Sequence, residues 1–178
     1  MPDSQHASTA AETVPQVDEA ELADLASATV LLVDDNRQNL ELIQAYLEEL
    51  PCRLLTAADG VEAIEVIERE VPDLVLLDVM MPRMSGFEVC QKIKASPDLR
   101  QIVVIMVTAL HEVSDFERAV ESGTDDFLTK PVNKIELLTR VRSLLRVGLL
   151  RRKLDEVMNL QRHVALDQRA DPDELDEG

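Results

Sequence analysis

Three carboxylates, one hydroxyl and one ammonium stand where short apolar runs end. Thr29-Val-Leu-Leu-Val closes on Asp34 and Asp35, and Leu74-Val-Leu-Leu closes on Asp78. Ile102 to Val107 closes on Thr108, and the short run Asp126-Phe-Leu is followed by Lys130-Pro131. An aspartate after a strand is ordinarily a turn residue or a helix cap, so each of these groups alone says little. Together they point to one rim. Three clustered carboxylates repel one another unless a cation sits among them. Hard oxygen ligands with positions left open for water suit Mg2+, with Mn2+ as a substitute. The sequence has no Asp-x-Asp-x-Asp-Gly loop of the kind that binds calcium. Beside such an ion Asp78 could attack phosphorus, because a carboxylate needs no deprotonation at neutral pH. Lys130 would pair with one phosphoryl oxygen and Thr108 would hydrogen-bond another. Phosphoryl transfer asks mainly for positioning and charge neutralisation, which this set supplies.

The elements that must position these groups are legible. Thr29 to Asp34, Arg53 to Ala57, Leu74 to Asp78, Ile102 to Val107 and Asp126 to Leu128 read as strands. The third and fourth are apolar throughout, as strands covered on both faces should be. Between them lie amphipathic stretches. Leu40, Ile43, Leu47 and Leu50 recur at helical spacing, as do Val61, Ile64 and Ile67 in a helix closed by Pro72. Gly86 to Ala95 and Val113 to Ser122 read as helices, and a last one begins near Val132. Strand-then-helix repeated five times predicts an α/β fold, a parallel sheet with helices on both faces. Ligands in such sheets collect beyond the carboxyl ends of the strands, where the five polar groups fall.

Composition narrows the function classes. The chain has 178 residues, 35 of them acidic and 18 basic, for a net charge of -17, and one Tyr and three Phe are its only aromatics. A nucleic-acid binder would be basic and richer in aromatics, so no direct nucleic-acid contact is expected. No apolar run is long enough to span a bilayer, and no secretory signal is visible after Met1. Cys52 and Cys90 form no metal or redox spacing and suit a reducing cytoplasm. Residues 1–28 carry six acids and no Lys or Arg, and are expected to be a disordered acidic tail, with a short helical turn near Glu21 to Leu25. A second disordered acidic tail is expected at 169–178.

The strings Val33-Asp-Asp-Asn, Leu77-Asp-Val-Met-Met-Pro-Arg-Met-Ser-Gly-Phe-Glu, Val107-Thr-Ala and Thr129-Lys-Pro resemble the receiver domain of two-component response regulators. The motifs occur in order, at family spacing, across about Thr29 to Arg146. The resemblance implies a flavodoxin-like (βα)5 sheet in the order 2-1-3-4-5. It implies that Asp78 is the phosphoacceptor, with Thr108 and Lys130 assisting its phosphorylation. Asp35 would be a direct metal ligand, Asp34 would act largely through water, and the main-chain carbonyl of Met80 would complete the protein's share of the shell. Lys130-Pro131 matches a cis peptide of the family. Thr108 and Phe127 fall at its switch positions. Phe127 lacks the hydroxyl of the tyrosine often found there, so it offers ring burial without a hydrogen bond; the alternative is a plain core aromatic. Met80 and Leu110 flank the expected path of attacking water, and both are apolar.

The resemblance further implies a protein phosphorylated by a histidine kinase or a histidine phosphotransfer protein, acting on a downstream protein target. Its chemistry would be self-catalysed phosphoryl transfer and slow autodephosphorylation rather than turnover. Rival readings are a scaffolding receiver that never carries phosphate, a phosphorelay intermediate, and a metal-dependent phosphatase. The last class commonly has an acid two residues after the nucleophile, where this chain has Met80. No helix-turn-helix or enzymatic signature follows Arg146. Residues 147–168 are expected to be a helical extension: Val147, Leu150, Leu154, Val157, Gln161 and Val164 form an a/d seam. A parallel coiled coil joining two receivers and a helix lying back on its own domain compete for that seam. The basic stretch Arg140, Arg142, Arg146, Arg151, Arg152 and Lys153 is either a solvated flank or a contact with acidic groups, the chain's own tails among them.

Overall fold

The computed structural model describes residues 19–109 and 113–167. Strands β1 (Thr29–Val33), β2 (Arg53–Ala57), β3 (Leu74–Asp78), β4 (Val103–Thr108) and β5 (Asp126–Thr129) form one parallel sheet in the order β2-β1-β3-β4-β5. The fold is the flavodoxin-like one expected. Every residue of β3 and β4 is buried, which is why those two runs carry no polar residue before their ends.

The helices start where side chains can meet their free N–H groups. Helix α2 (Arg37–Leu47) is capped by Asn36, and α3 (Gly60–Glu70) by Asp59. Helix α4 (Gly86–Ala95) opens with a capping box, in which the Ser85 hydroxyl accepts from the Glu88 N–H and the Glu88 carboxylate accepts from the Ser85 N–H. Helix α3 stops at Val71, forced into the left-handed region (φ 43°) ahead of Pro72. Alternate strand residues feed two cores. One, with Leu31, Val75, Leu77, Val104 and Met106, packs against α3, α4 and α5 (Val113–Glu121). The other, with Val30, Leu32, Leu74, Ile105 and Val107, packs against α2 and α6 (Lys134–Asp167).

Two expected boundaries are corrected. The segment 19–28 is not tail. Glu19–Ala26 forms a helix, α1, and Leu25 and Ala28 are fully buried in the second core beside Leu145 and Leu149. The Ala28 carbonyl accepts from the Arg53 N–H at 2.9 Å, so the chain is tied to the sheet before β1 begins. Residues 1–18 and 169–178 lie outside the described residues. Nor does the domain end at Arg146. Helix α6 runs unbroken through it, Leu149 is 3% exposed, and Gly148 lies against Val103, with a Cβ built there 3.2 Å from that side chain. The described seam then turns outward. Leu150, Leu154, Val157 and Gln161 are exposed, so these seam residues are not packed on the receiver, while Arg152 and Lys153 on another face of the helix reach back to Asp73 and Asp24; the side chain of Val164 is outside the described residues. No helix among the described residues is long and apolar enough to cross a membrane.

Candidate functional site

The ends of β1 and β3 and the loop after β5 bring four of the expected side chains, Asp34, Asp35, Asp78 and Lys130, to one rim, and β4 ends beside them at the fifth, Thr108. Asp34 (2% exposed) and Asp78 (5%) are buried, while their neighbour Asp35 is exposed. Each of the three aspartates offers a carboxylate oxygen, and these oxygens lie within 4.8 Å of one another. This is the one group of three or more His, Cys, Asp or Glu side chains so gathered among the described residues. The Lys130 ammonium reaches in from the far side, donating to Asp34 Oδ2 at 2.8 Å and lying 3.1 Å from Asp78 Oδ1. The Lys130–Pro131 bond is cis.

The electrostatics follow from burial and like charge. Loss of water pushes the Asp78 carboxyl above the usual aspartate range. Lys130 opposes that, and Asp34 and Asp35 add to it. For Lys130, burial disfavours the ammonium, but the hydrogen bond it donates to Asp34 and the charge of Asp78 outweigh that and hold the pKa above that of a free lysine. One cation facing three carboxylates leaves the rim short of positive charge.

Thr108 is 1% exposed, and its hydroxyl has no hydrogen-bond partner. A buried hydroxyl without a partner costs about 1–3 kcal/mol. It ends β4, and the register Asp78↔Val107 sets it one residue beyond the level of Asp78 on the next strand. Phe127 is half-buried on β5. It is paired with Met106 and packs into the same core as Met106, so it shares a sheet face with Thr108. The Lys130 N–H donates to the Thr108 carbonyl at 2.8 Å, tying the two loops together. Met80 follows β3 with its side chain 72% exposed. Leu110 lies outside the described residues.

Two contributors went unread in the sequence. Asn39, in the first turn of α2, donates from Nδ2 to both carboxylate oxygens of Asp34, at 3.3 and 3.1 Å, and so fixes that carboxylate's orientation. Its signal was a polar residue in the turn that faces back to the strand end. Gly86 begins α4 directly against β3, its N–H donating to the Val79 carbonyl at 3.0 Å. A Cβ there would come within 2.2 Å of the Asp78 carbonyl oxygen. The glycine was visible in its motif, but the contact that requires it was not.

Residues 30–142 match the family model of the response regulator receiver domain. The chain belongs to that family. The receiver domain is 46% identical to the response regulator PleD of Caulobacter vibrioides over 123 residues, 69% of this chain and 27% of PleD. It is 38% identical over 117 residues to the DNA-binding dual master transcriptional regulator RpaA of Synechocystis, covering 66% of this chain and 48% of RpaA. The chain thus spans about a quarter to a half of these curated relatives. Among solved structures, the signal receiver domain of a histidine kinase from Syntrophus aciditrophicus superposes with a TM-score of 0.64 at 37% identity, covering 67% of this chain and 91% of that one. A CheY-like receiver from Methanospirillum hungatei gives a TM-score of 0.64 at 28% identity, over 68% and 95% of the two chains.

Proposed function

We propose that this receiver is a phosphorylation-controlled response regulator. In this reading Asp78 accepts a phosphoryl group from a histidine kinase or a histidine phosphotransfer protein. The observation that carries it is the convergence on one rim of a buried Asp78, two further carboxylates and a single lysine, with an unpartnered threonine hydroxyl on the next strand. A carboxylate oxygen of Asp78 attacks phosphorus, the phosphorus–nitrogen bond to the donor imidazole breaks, and an acyl phosphate forms. The Lys130 ammonium follows the charge from the carboxylate to a phosphoryl oxygen. Thr108 gains the acceptor its hydroxyl lacks.

The donor set fits a hard divalent cation: carboxylate oxygens only, two of them buried, with one ammonium against three negative charges. Asp34, Asp35, Asp78 and the Met80 carbonyl would hold Mg2+, or Mn2+ in its place, with Asn39 orienting Asp34. Once bound, the ion would screen the carboxylates from an incoming phosphoryl group. The protein's own catalysis is limited to its own phosphorylation and slow dephosphorylation.

The acyl phosphate adds about one to two negative charges. Thr108 moves toward it, and Phe127, on the same sheet face, fills the space vacated. The surface formed by α5, β5 and the start of α6 then presents a second arrangement to a downstream protein. A second copy of the chain is a further partner, through α6. We place the protein in the cytoplasm, where kinase-borne phosphoryl groups are available.

Acetyl phosphate with Mg2+, followed by intact-protein mass spectrometry, tests the reading. One phosphoryl group per chain is expected on the wild type and none on Asp78→Ala. No adduct at all would favour a scaffolding receiver, and turnover of the donor beyond one equivalent would favour a phosphatase. Onward transfer to a phosphotransfer protein would mark a relay intermediate.

A further inference from the structure

We propose that Arg83 and Asp59 are a positioning pair for the metal rim: their bridge fixes the loop that carries the Met80 carbonyl, and so sets how tightly the rim holds a divalent cation. This role rests on the reading of Asp34, Asp35, Asp78 and the Met80 carbonyl as the cation's ligands, and adds a control that lies outside that set.

The chain leaves β3 after Asp78 and returns to it at Gly86, whose N–H donates to the Val79 carbonyl at 3.0 Å and closes the loop at its base. Inside the loop little holds the main chain. The one internal main-chain bond runs from the Met84 N–H to the Pro82 carbonyl at 2.8 Å, and no described residue donates to the Met80 carbonyl. That oxygen is open to a cation, and its place depends on what fixes residues 81–85. The Met81 side chain is buried. Met84 rests on the start of α3, where a Cβ on Gly60 would come within 2.7 Å of the Met84 carbonyl oxygen. The polar tether to another element is Arg83, whose guanidinium donates to Asp59 Oδ2.

Two features set this bridge apart from an ordinary surface ion pair. Arg83 has φ 68°, in the left-handed region, at a cost that glycine avoids and asparagine largely avoids. The backbone therefore gains nothing from an arginine here. What the arginine adds is a planar fork on a stem long enough to reach α3. Asp59, for its part, divides its oxygens. Oδ1 accepts from the Val61 N–H at 2.8 Å and the Glu62 N–H at 3.1 Å and so caps α3, leaving Oδ2 for Arg83. The helix cap holds the carboxylate in place independently of the arginine. The loop is thus fastened to β3 at Gly86 and to α3 at Arg83, and Met80 lies between β3 and that second fastening. With the bridge open, residues 80–83 are free to turn about Val79 and carry the Met80 carbonyl with them. Groups that orient metal ligands from outside the shell govern affinity.

Mn2+ binding to the full, unphosphorylated chain is measured by electron paramagnetic resonance, and the part lost in Asp35→Asn is counted as rim binding. Asp59→Asn keeps the cap, since asparagine caps a helix as well as aspartate does, but sets an amide donor where Oδ2 stood. Arg83→Asn keeps a residue suited to the left-handed backbone and removes the reach. Each should weaken Mn2+ binding about threefold with little change in melting temperature. The double variant should bind no more weakly than either single one. In phosphoryl uptake from acetyl phosphate, the Mg2+ concentration for half-maximal rate should rise about threefold while the maximal rate changes little. A lowered melting temperature with unaltered Mn2+ affinity would mean that the bridge only braces the loop, and overturns the proposal. Losses that add in the double variant overturn the pairing of the two residues. A wild type that binds no Mn2+ at the rim overturns the metal reading itself, whereas wild-type binding with both variants indifferent overturns the bridge's role alone.

Discussion

Gly86 and Asp78 are in backbone contact across the start of α4. A Cβ at position 86 would stand 2.2 Å from the Asp78 carbonyl oxygen and 2.9 Å from the Val79 Cα. Neither atom belongs to a flexible side chain, so the strand end or the helix must move. Gly86→Ala should destabilise the fold by about 1–3 kcal/mol and displace the carboxylate that we propose accepts the phosphoryl group. A lowered melting temperature together with slower adduct formation from acetyl phosphate is the expected pair of results. A normal adduct rate in a destabilised variant would show that the contact serves packing alone.

The buried Asp78 is held at a cost to stability. Its pKa is raised by burial above the ordinary aspartate value of 3.8, with Asp34 and Asp35 contributing, despite Lys130. An acid whose folded pKa lies above its unfolded value stabilises the fold when protonated. That stability is complete below the unfolded value and is lost as pH rises through the folded one. At neutral pH and without divalent cations, Asp78→Asn should therefore melt at a higher temperature than the wild type, and the gap should close as pH falls toward 3.8. Thermal melts from pH 3 to pH 8 in chelator check this. A gap independent of pH would mean the carboxylate is not strained by its surroundings.

Thr108 carries a second local cost that the phosphorylated state can relieve. Its hydroxyl is buried and unpartnered, and valine has nearly the same shape without the polar atom. Thr108→Val should stabilise the unphosphorylated protein by about 1 kcal/mol and slow phosphoryl uptake about tenfold by removing a donor to the transferred group. Thr108→Ser should keep the uptake. Equal uptake by both variants would take the hydroxyl out of the chemistry.

The sequence displayed the strands and the groups at their ends because both depend on local pattern. Continuous apolar runs make buried parallel strands, and each run stops where a charged or hydroxyl residue meets the rim. What escaped it depends on contacts between distant segments. The acidic composition of residues 19–28 looked like tail. Leu25 and Ala28 are core only because α6 continues past Arg146 and, with β1, leaves an apolar recess at the base of the sheet. The basic stretch looked like a solvated flank, yet Arg140 pairs with Asp126, Arg152 with Asp73 and Lys153 with Asp24. Asn39 resembled any polar helix residue until the turn of α2 set its amide over Asp34.

Met80 is the residue we propose to flank the path of water toward Asp78. It lies two residues beyond the acceptor with its side chain 72% exposed, so it can be changed without touching the core. A thioether neither orients a water molecule nor takes a proton from one. Asparagine or glutamate at this position can hold a water near phosphorus, and glutamate can also act as a base. Met80→Asn and Met80→Glu should therefore leave the melting temperature unchanged and hasten loss of the acyl phosphate, about tenfold for an effective base. The decay is followed by mass spectrometry after the donor is removed. Decay as slow as that of the wild type in both variants would place the attacking water on another path, away from position 80.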